Sequence, residues 1–138
     1  MTIKNIARSD VVTAAPTTSA EAVAERMYEE GIGSVVVVDD GTPVGLVTDR
    51  DIGLGIWEHD EPRVVTAEEL MSADPVTIDA DAEIYDALRT AREAGVRRLP
   101  ITEDGQLVGI VTLDDVIVLL AGELGEVSGI VQSHSPPY

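Results

Sequence analysis

The chain has 138 residues, 44% of them apolar, and a formal net charge of −17. That is enough for one domain, or for two half-domains sharing a core. With no cysteine there is no disulfide, thiolate chemistry or Cys-based zinc site, and with Lys4 the only lysine beside eight arginines the balance opposes a nucleic-acid or anionic-membrane binder. The acid-rich, lysine-poor composition reads as adaptation to a salt-rich cytoplasm, because the Debye length falls to roughly 3 Å at 1 M salt; the alternative is an ordinary acidic soluble protein. The core is aliphatic, since there is no Phe and only Trp57, Tyr28, Tyr85 and Tyr138 are aromatic.

The N-terminus (MTIKNIARSD) has no apolar h-region and no apolar stretch approaches a membrane span, so the expected location is the cytoplasm. Residues 11–14 read as extended. Thr18-Ser19-Ala20-Glu21 has capping-box spacing, and Ala20, Val23, Ala24 and Met27 then form one face of a helix ended by Gly31. Residues 35–38 and 44–48 are β-formers around the hairpin dipeptide Asp40-Gly41. A helix begins at Thr48, loosened by Gly53 and Gly55, with Trp57 near its end as a packing or interface residue. Residues 58–69 (EHDEPRVVTAEE) read as a polar linker. Residues 76–78 are extended again, and Asp79 or Asp81 caps a helix with Ile84, Ala87, Leu88 and Ala91 on one face and Gly95 at its end. Strands at 99–102 and 108–112 flank Asp104-Gly105. The last helix, through Val116, Ile117, Val118, Leu119, Leu120 and Leu124, is apolar nearly all round, so more than one side should be covered, by the other repeat or by a second subunit. Residues 132–138, with a proline pair, read as loose.

Residues 31–52 lie over residues 95–116 without a gap at an offset of 64, and eight of these 22 positions are identical: Gly31/Gly95, Asp40/Asp104, Gly41/Gly105, Val44/Val108, Gly45/Gly109, Val47/Val111, Thr48/Thr112 and Asp51/Asp115. A fixed period decides the architecture: an α/β (α+β) fold of two tandem β-α-β-β-α repeats packed with pseudo-twofold symmetry, at 1–60 and 61–124, with a tail at 125–138.

The informative matched segments are Gly45-Leu46-Val47-Thr48-Asp49-Arg50-Asp51 and Gly109-Ile110-Val111-Thr112-Leu113-Asp114-Asp115. In each a strand runs out and a helix starts at the threonine, where free N–H groups and the positive dipole end favour phosphate. The hydroxyl can donate to a phosphate oxygen, and the carboxylate three residues on can accept from both hydroxyls of a ribose. The same Thr-x-x-Asp spacing is also an ordinary capping box. The glycine three residues before each threonine favours close approach of a ligand to the backbone. Leu113 stands where the first copy has the polar Asp49.

With these motifs the chain resembles a pair of CBS (cystathionine β-synthase) domains, a Bateman module, over about residues 3–124. The resemblance implies two clefts between the repeats that bind adenosine-containing ligands such as AMP, ADP, ATP or S-adenosylmethionine, no required cofactor, and pairing into disc-like homodimers through the helices. Carried onto this sequence, one cleft uses Thr48 and Asp51, flanked by Leu46, with Val76 and Val96, Arg97 and Arg98. The other uses Thr112 and Asp115, flanked by Ile110, with Val12, Ile32, Gly33 and Ser34. Arg50 and Asp114 are the matched residues beside the two ribose-holding aspartates. One of Arg97 and Arg98 can neutralise a phosphate in the Asp51 cleft, unless both are surface arginines paired with acids; the Asp115 cleft, with Gly33 and Ser34 there, has fewer phosphate partners and suits a nucleoside-like or sulfonium ligand.

His59 and His134 lack clustered ligands for a metal, Asp39-Asp40-Gly41 lacks the full calcium-loop pattern, and no acid–base or nucleophile set stands out. The expected function is therefore a non-catalytic sensor that signals in trans to an unidentified protein partner, with no membrane or nucleic-acid role. A structural or interaction protein with unoccupied clefts is the alternative.

Overall fold

The computed structural model describes residues 1–134. After a 3-10 turn at Ile3–Asn5 the elements are β1 (Thr13–Ala14), α1 (Ala20–Glu30), β2 (Ser34–Asp39), β3 (Thr42–Thr48), α2 (Asp49–Glu58), a 3-10 turn at Pro62–Val64, α3 (Ala67–Leu70), β4 (Ser72–Ala73), β5 (Ile78–Asp79), α4 (Ile84–Ala94), β6 (Arg98–Glu103), β7 (Gln106–Thr112) and α5 (Leu113–His134). The two sheets run β1-β2-β3-β4 and β5-β6-β7. In both, the first pair is parallel and the second antiparallel, with a register shift at the same place, Val37/Val38 and Ile101/Thr102.

Local chemistry explains the element ends. Gly31 and Gly95 close α1 and α4 at φ of 64° and 68°, where a Cβ would be strained. Asp40-Gly41 and Asp104-Gly105 all have positive φ, as a type I′ hairpin turn demands. The helix starts differ from expectation. Ser19, one residue later than the capping-box spacing suggests, caps α1 by accepting from Ala22 N–H at 3.2 Å. Neither Asp79 nor Asp81 caps α4: its N-cap is Glu83, without a side-chain bond, and Asp79 instead accepts from Asp81 N–H.

Each repeat buries one face of its sheet under helices. Val23, Met27, Val35, Val37 and Val47 form the first core, and Ala87, Leu99, Ile101, Val111 and Val116 the second. The period of two along a strand turns Val36 and Pro100 to the opposite face, where both are fully buried and border the clefts between the repeats.

The polar stretch at 58–69 is not a free linker. Val65 and Ala67 are buried, and Thr66 and Glu69 form a capping box at the head of α3. This segment docks on the first repeat: Ala67 N–H donates to Thr18 O at 2.7 Å, and β4 pairs with β3. The chain's first residues do the same for the second repeat. Ile3 N–H donates to Ala82 O at 2.8 Å, Ile3 is fully buried among Ala80, Ala87 and Leu99, and Arg8 pairs with Ile110. These contacts are related by the same 64-residue offset, Thr2 and Asn5 matching Thr66 and Glu69. Each repeat therefore lends its leading segment to the other.

The glycines before the threonines serve this exchange. A Cβ on Gly45 would stand 2.2 Å from Met71 Sδ, and one on Gly109 would stand 3.0 Å from the Arg8 carbonyl oxygen. Chain, not ligand, makes the close approach. Gly55 in α2 is likewise buried, and a Cβ there would meet Leu70 at 2.9 Å.

α5 departs furthest from expectation. It runs to His134, through much of the expected tail and the start of the stretch read as loose; residues 135–138 lie outside the described residues. Residues 113–133, which contain an 18-residue window with a mean hydropathy of 1.4, are by length and composition apolar enough to cross a membrane, contrary to the sequence reading. Glu123 and Glu126 stand mid-helix and oppose insertion, each costing about 2.5–3.5 kcal/mol near a bilayer centre. Among the described residues of α5 only Val116 is buried; Ile117, Val118, Leu120 and Leu124 remain exposed, as do Trp57 and Ile56 on the matched α2. The other repeat does not cover α5.

Candidate functional site: two clefts between the repeats

Both strand-to-helix motifs form capping boxes. At the first, Asp51 Oδ2 accepts from Thr48 N–H at 2.8 Å and from the Thr48 hydroxyl at 3.0 Å, while Asp51 N–H donates back to Thr48 Oγ1. At the second, Asp115 Oδ2 accepts from Thr112 N–H at 3.0 Å, and Asp115 N–H donates to Thr112 Oγ1. The capping and ligand readings are compatible, because a carboxylate has acceptor capacity on both oxygens. The other oxygens differ. Asp51 Oδ1 has no partner among the described residues, whereas Asp115 Oδ1 accepts from Arg8 Nε at 3.2 Å and Nη2 at 3.0 Å.

Burial pushes the Asp115 carboxyl up, but the Thr112 N–H, the Arg8 guanidinium and the Thr112 hydroxyl all favour the charged form, and together they hold it below the usual carboxylate range. A carboxyl depressed in the folded state stabilises the fold above its unfolded pKa, and that stability is lost as pH falls through the folded value. Asp115→Asn is therefore expected to be less stable than wild type at pH 7 by about 1 kcal/mol, the scale of a helix cap with one partly exposed ion pair. The gap should close on acidification below the carboxylate range. Thermal melts from pH 7 to pH 2 test this; a gap that stays constant would mean that the charge of Asp115 contributes nothing.

The first cleft, of about 290 Å³, is lined by Leu46, Ser72, Ala73, Asp74, Pro75, Val76, Val96, Arg97, Arg98 and Pro100. The second, of about 360 Å³, includes Arg8, Asp10, Val11, Val12, Ile32, Gly33, Ser34, Val36 and Ile110, with Thr112, Asp114, Glu30 and Arg98. Their walls match at the 64-residue offset: Leu46/Ile110, Ser72/Arg8, Asp74/Asp10, Pro75/Val11, Val76/Val12, Val96/Ile32, Arg97/Gly33, Arg98/Ser34 and Pro100/Val36.

Of the residues assigned from the sequence to the first cleft, the structure brings together Leu46, Val76, Val96, Arg97 and Arg98; Thr48, Asp51 and the exposed Arg50 are not on its wall. In the second, Val12, Ile32, Gly33, Ser34, Ile110, Thr112 and Asp114 meet, and Asp115 stands behind Arg8. Arg97 is exposed and pairs with Asp114 at 3.9 Å. The expected shortage of cations in the second cleft is not found, because Arg8 and Arg98 both line it. The reasons are the exchanged N-terminal segment, which delivers Arg8, and the Arg98 guanidinium, which reaches from β6 to Gly33 of the first repeat. Sequence reasoning missed Arg8, Asp10, Ser72 and Asp74. Extending the offset toward the N-terminus, where Thr2/Thr66, Asp10/Asp74, Val12/Val76 and Thr13/Thr77 are identical, marks these segments as part of the repeat.

The CBS-domain family model matches residues 3–53 and 67–122, both repeats with their leading segments. The chain belongs to the CBS-domain family. An uncharacterised protein of Methanopyrus kandleri is 38% identical over 120 residues, 85% of this chain, and this chain spans 61% of that protein's length. Hypoxic response protein 1 of Mycobacterium tuberculosis is 34% identical over 83% of this chain and 82% of its own. A crystal structure of that CBS protein, with two coordinated zinc ions, superposes with a TM-score of 0.77 over 85% of this chain and 97% of its own. Two CBS structures with adenosine compounds, each 25% identical, share the fold: CBSX2 with AMP, at a TM-score of 0.76 over 88% of this chain and 96% of its own, and the CBS pair of MJ0100 with 5′-methylthioadenosine and S-adenosyl-L-methionine, at 0.79 over 89% and 98%. In the present CBS pair, no group of three or more His, Asp or Glu among the described residues stands close enough to hold a metal.

Proposed function

We propose that this CBS pair is a non-catalytic regulatory module that binds an adenosine-containing ligand, AMP, ADP, ATP or S-adenosylmethionine, between its repeats and is read out by a separate protein partner. The observation that carries the reading is the residue-by-residue match of two cleft walls built from both repeats. AMP in CBSX2 and S-adenosyl-L-methionine in MJ0100 support the ligand class. The second cleft has the more complete set. Val12, Ile32 and Ile110 offer apolar surface for a base, Thr112 a hydroxyl, and Asp115 a carboxylate for ribose once Arg8 releases it. A ligand that needs Arg8 to move favours one arrangement of the exchanged N-terminal segment, and differential affinity is what shifts a conformational equilibrium.

Isothermal titration with AMP, ATP and S-adenosylmethionine in molar KCl tests the reading. Saturable heat for one of them is expected, with affinity about tenfold or more weaker in Asp115→Ala, the scale of one charge-assisted hydrogen bond. No heat for any of the three on a folded chain would replace the sensor by an interaction protein with empty clefts.

The proposal extends to the setting, a salt-rich cytoplasm, and to a homodimer formed through the helices. At −17 with nine basic residues, self-repulsion is strong in dilute buffer. Raising KCl from 0.1 M to 2 M should raise the melting temperature by on the order of 10 °C or more, as several kcal/mol of repulsion are screened. A melting temperature independent of KCl would make this an acidic protein of ordinary surroundings.

A further inference from the structure

We propose that Arg98 is one anion-binding arm shared by both clefts, so that phosphorylated ligands in the two bind anticooperatively. This rests on the reading of the clefts as sites for adenosine-containing ligands. Arg98 opens β6, opposite Thr112 on β7. Its stem and guanidinium together border both cavities: it lines the first with Leu46 and Val76 and the second with Gly33 and Thr112. Its Nη2 lies 3.8 Å from where a Cβ on Gly33 would stand, and Asp49 Oδ2 lies 3.2 Å from the same point, so the guanidinium reaches across from the second repeat onto the first.

The other arginines near the clefts are committed. Arg97 pairs with Asp114 and Arg8 with Asp115. The Arg98 side chain is half-buried and has no ion pair or hydrogen bond among the described residues. Its pseudo-symmetric counterpart is Ser34, a short neutral side chain that lines the second cleft alone. Two cavities therefore share one uncommitted guanidinium. A guanidinium carries one positive charge, so two phosphates that both draw on it must divide its neutralising charge between them. The first phosphorylated ligand takes up that charge and the second gains less from it. An unphosphorylated adenosine makes no demand on the arm, so its two binding events are uncoupled through this residue.

The test compares AMP affinity at one cleft when the other is filled and when it is blocked. Val12→Trp fills the second cleft; if that variant melts abnormally, Val76→Trp fills the first instead. By titration calorimetry, the second AMP on wild type should bind about tenfold more weakly than AMP binds to the same cleft in the blocked variant, within the usual range of site–site coupling. In an Arg98→Gln background the two affinities should agree, and adenosine should show no difference in either background. A tenfold penalty that survives R98Q would assign the coupling to direct repulsion between ligands, and its absence in wild type would make the clefts independent; either result overturns the proposal. Absence of AMP heat in wild type is a separate failure, that of the ligand class itself, and takes the shared arm with it.

Discussion

Ile3→Ala should lower the stability of the protein by about 2–5 kcal/mol, the range for emptying a well-packed site, and the damage should appear in the second repeat. Ile3 is third in the chain, where a terminal residue is ordinarily dispensable. Here it is fully buried among Ala80, Ala87, Leu99 and Val111, and its N–H donates to Ala82 O. Its neighbour in the same docked segment, Arg8, exchanges backbone hydrogen bonds with Ile110 at 2.9 and 3.0 Å and holds Asp115. Loss of Ile3 thus loosens the wall of the second cleft together with the core beneath it. Native-state hydrogen exchange is the decisive readout: amides of β6 and β7 should lose protection before those of β2 and β3. Faster exchange first in β2 and β3, or a stability change under about 0.5 kcal/mol, would mean that the N-terminal segment does not close the second repeat.

The same exchange marks where sequence reading stopped. The glycine helix ends and the Asp-Gly hairpins are local signals, each set by backbone conformation within a few residues, and the period of 64 repeats them; the structure has them at the expected places. The meaning of Gly45 and Gly109 was not local. A glycine reports that something comes close, without saying what, and the visitor is a chain segment 26 residues further on in one case and at the N-terminus in the other. The stretch at 58–69 misled in a similar way. Its charges face solvent, while Val65 and Ala67 are its buried positions, too few apolar residues to set up a period, and backbone hydrogen bonds to Thr18, Pro16 and Ala20 complete the docking. The extended offset marks Arg8's segment as part of the repeat, but its pairing with Asp115, 107 positions away, is joined only by the fold.

The final helix presented the opposite difficulty, a strong pattern whose partner is outside the chain. Along α5 the exposed apolar residues Leu113, Ile117, Leu120, Leu124, Val127 and Val131 recur at alternating spacings of four and three, which is the seam of a coiled coil. Glu123 and Glu126 lie off this seam, so a second copy of the helix can meet it without burying a carboxylate. This gives the proposed homodimer a specific surface, and Leu124→Glu should break it. Leu124 is 70% exposed within one chain, and glutamate is a good helix former, so the fold of a single chain should be untouched. In a symmetric dimer the substitution acts twice, each time removing about 1.5–3 kcal/mol of apolar burial and placing a carboxylate on the seam. The dimer should therefore weaken by at least about a hundredfold, since each 1.4 kcal/mol is a factor of ten. Sedimentation equilibrium in molar KCl, where repulsion between two chains of −17 is screened, should show a wild-type dimer and an L124E monomer with the same circular dichroism. A wild type that remains monomeric at about 100 μM, a concentration at which even a micromolar dimer is nearly saturated, would leave the seam to a different protein and remove the homodimer from the proposed function.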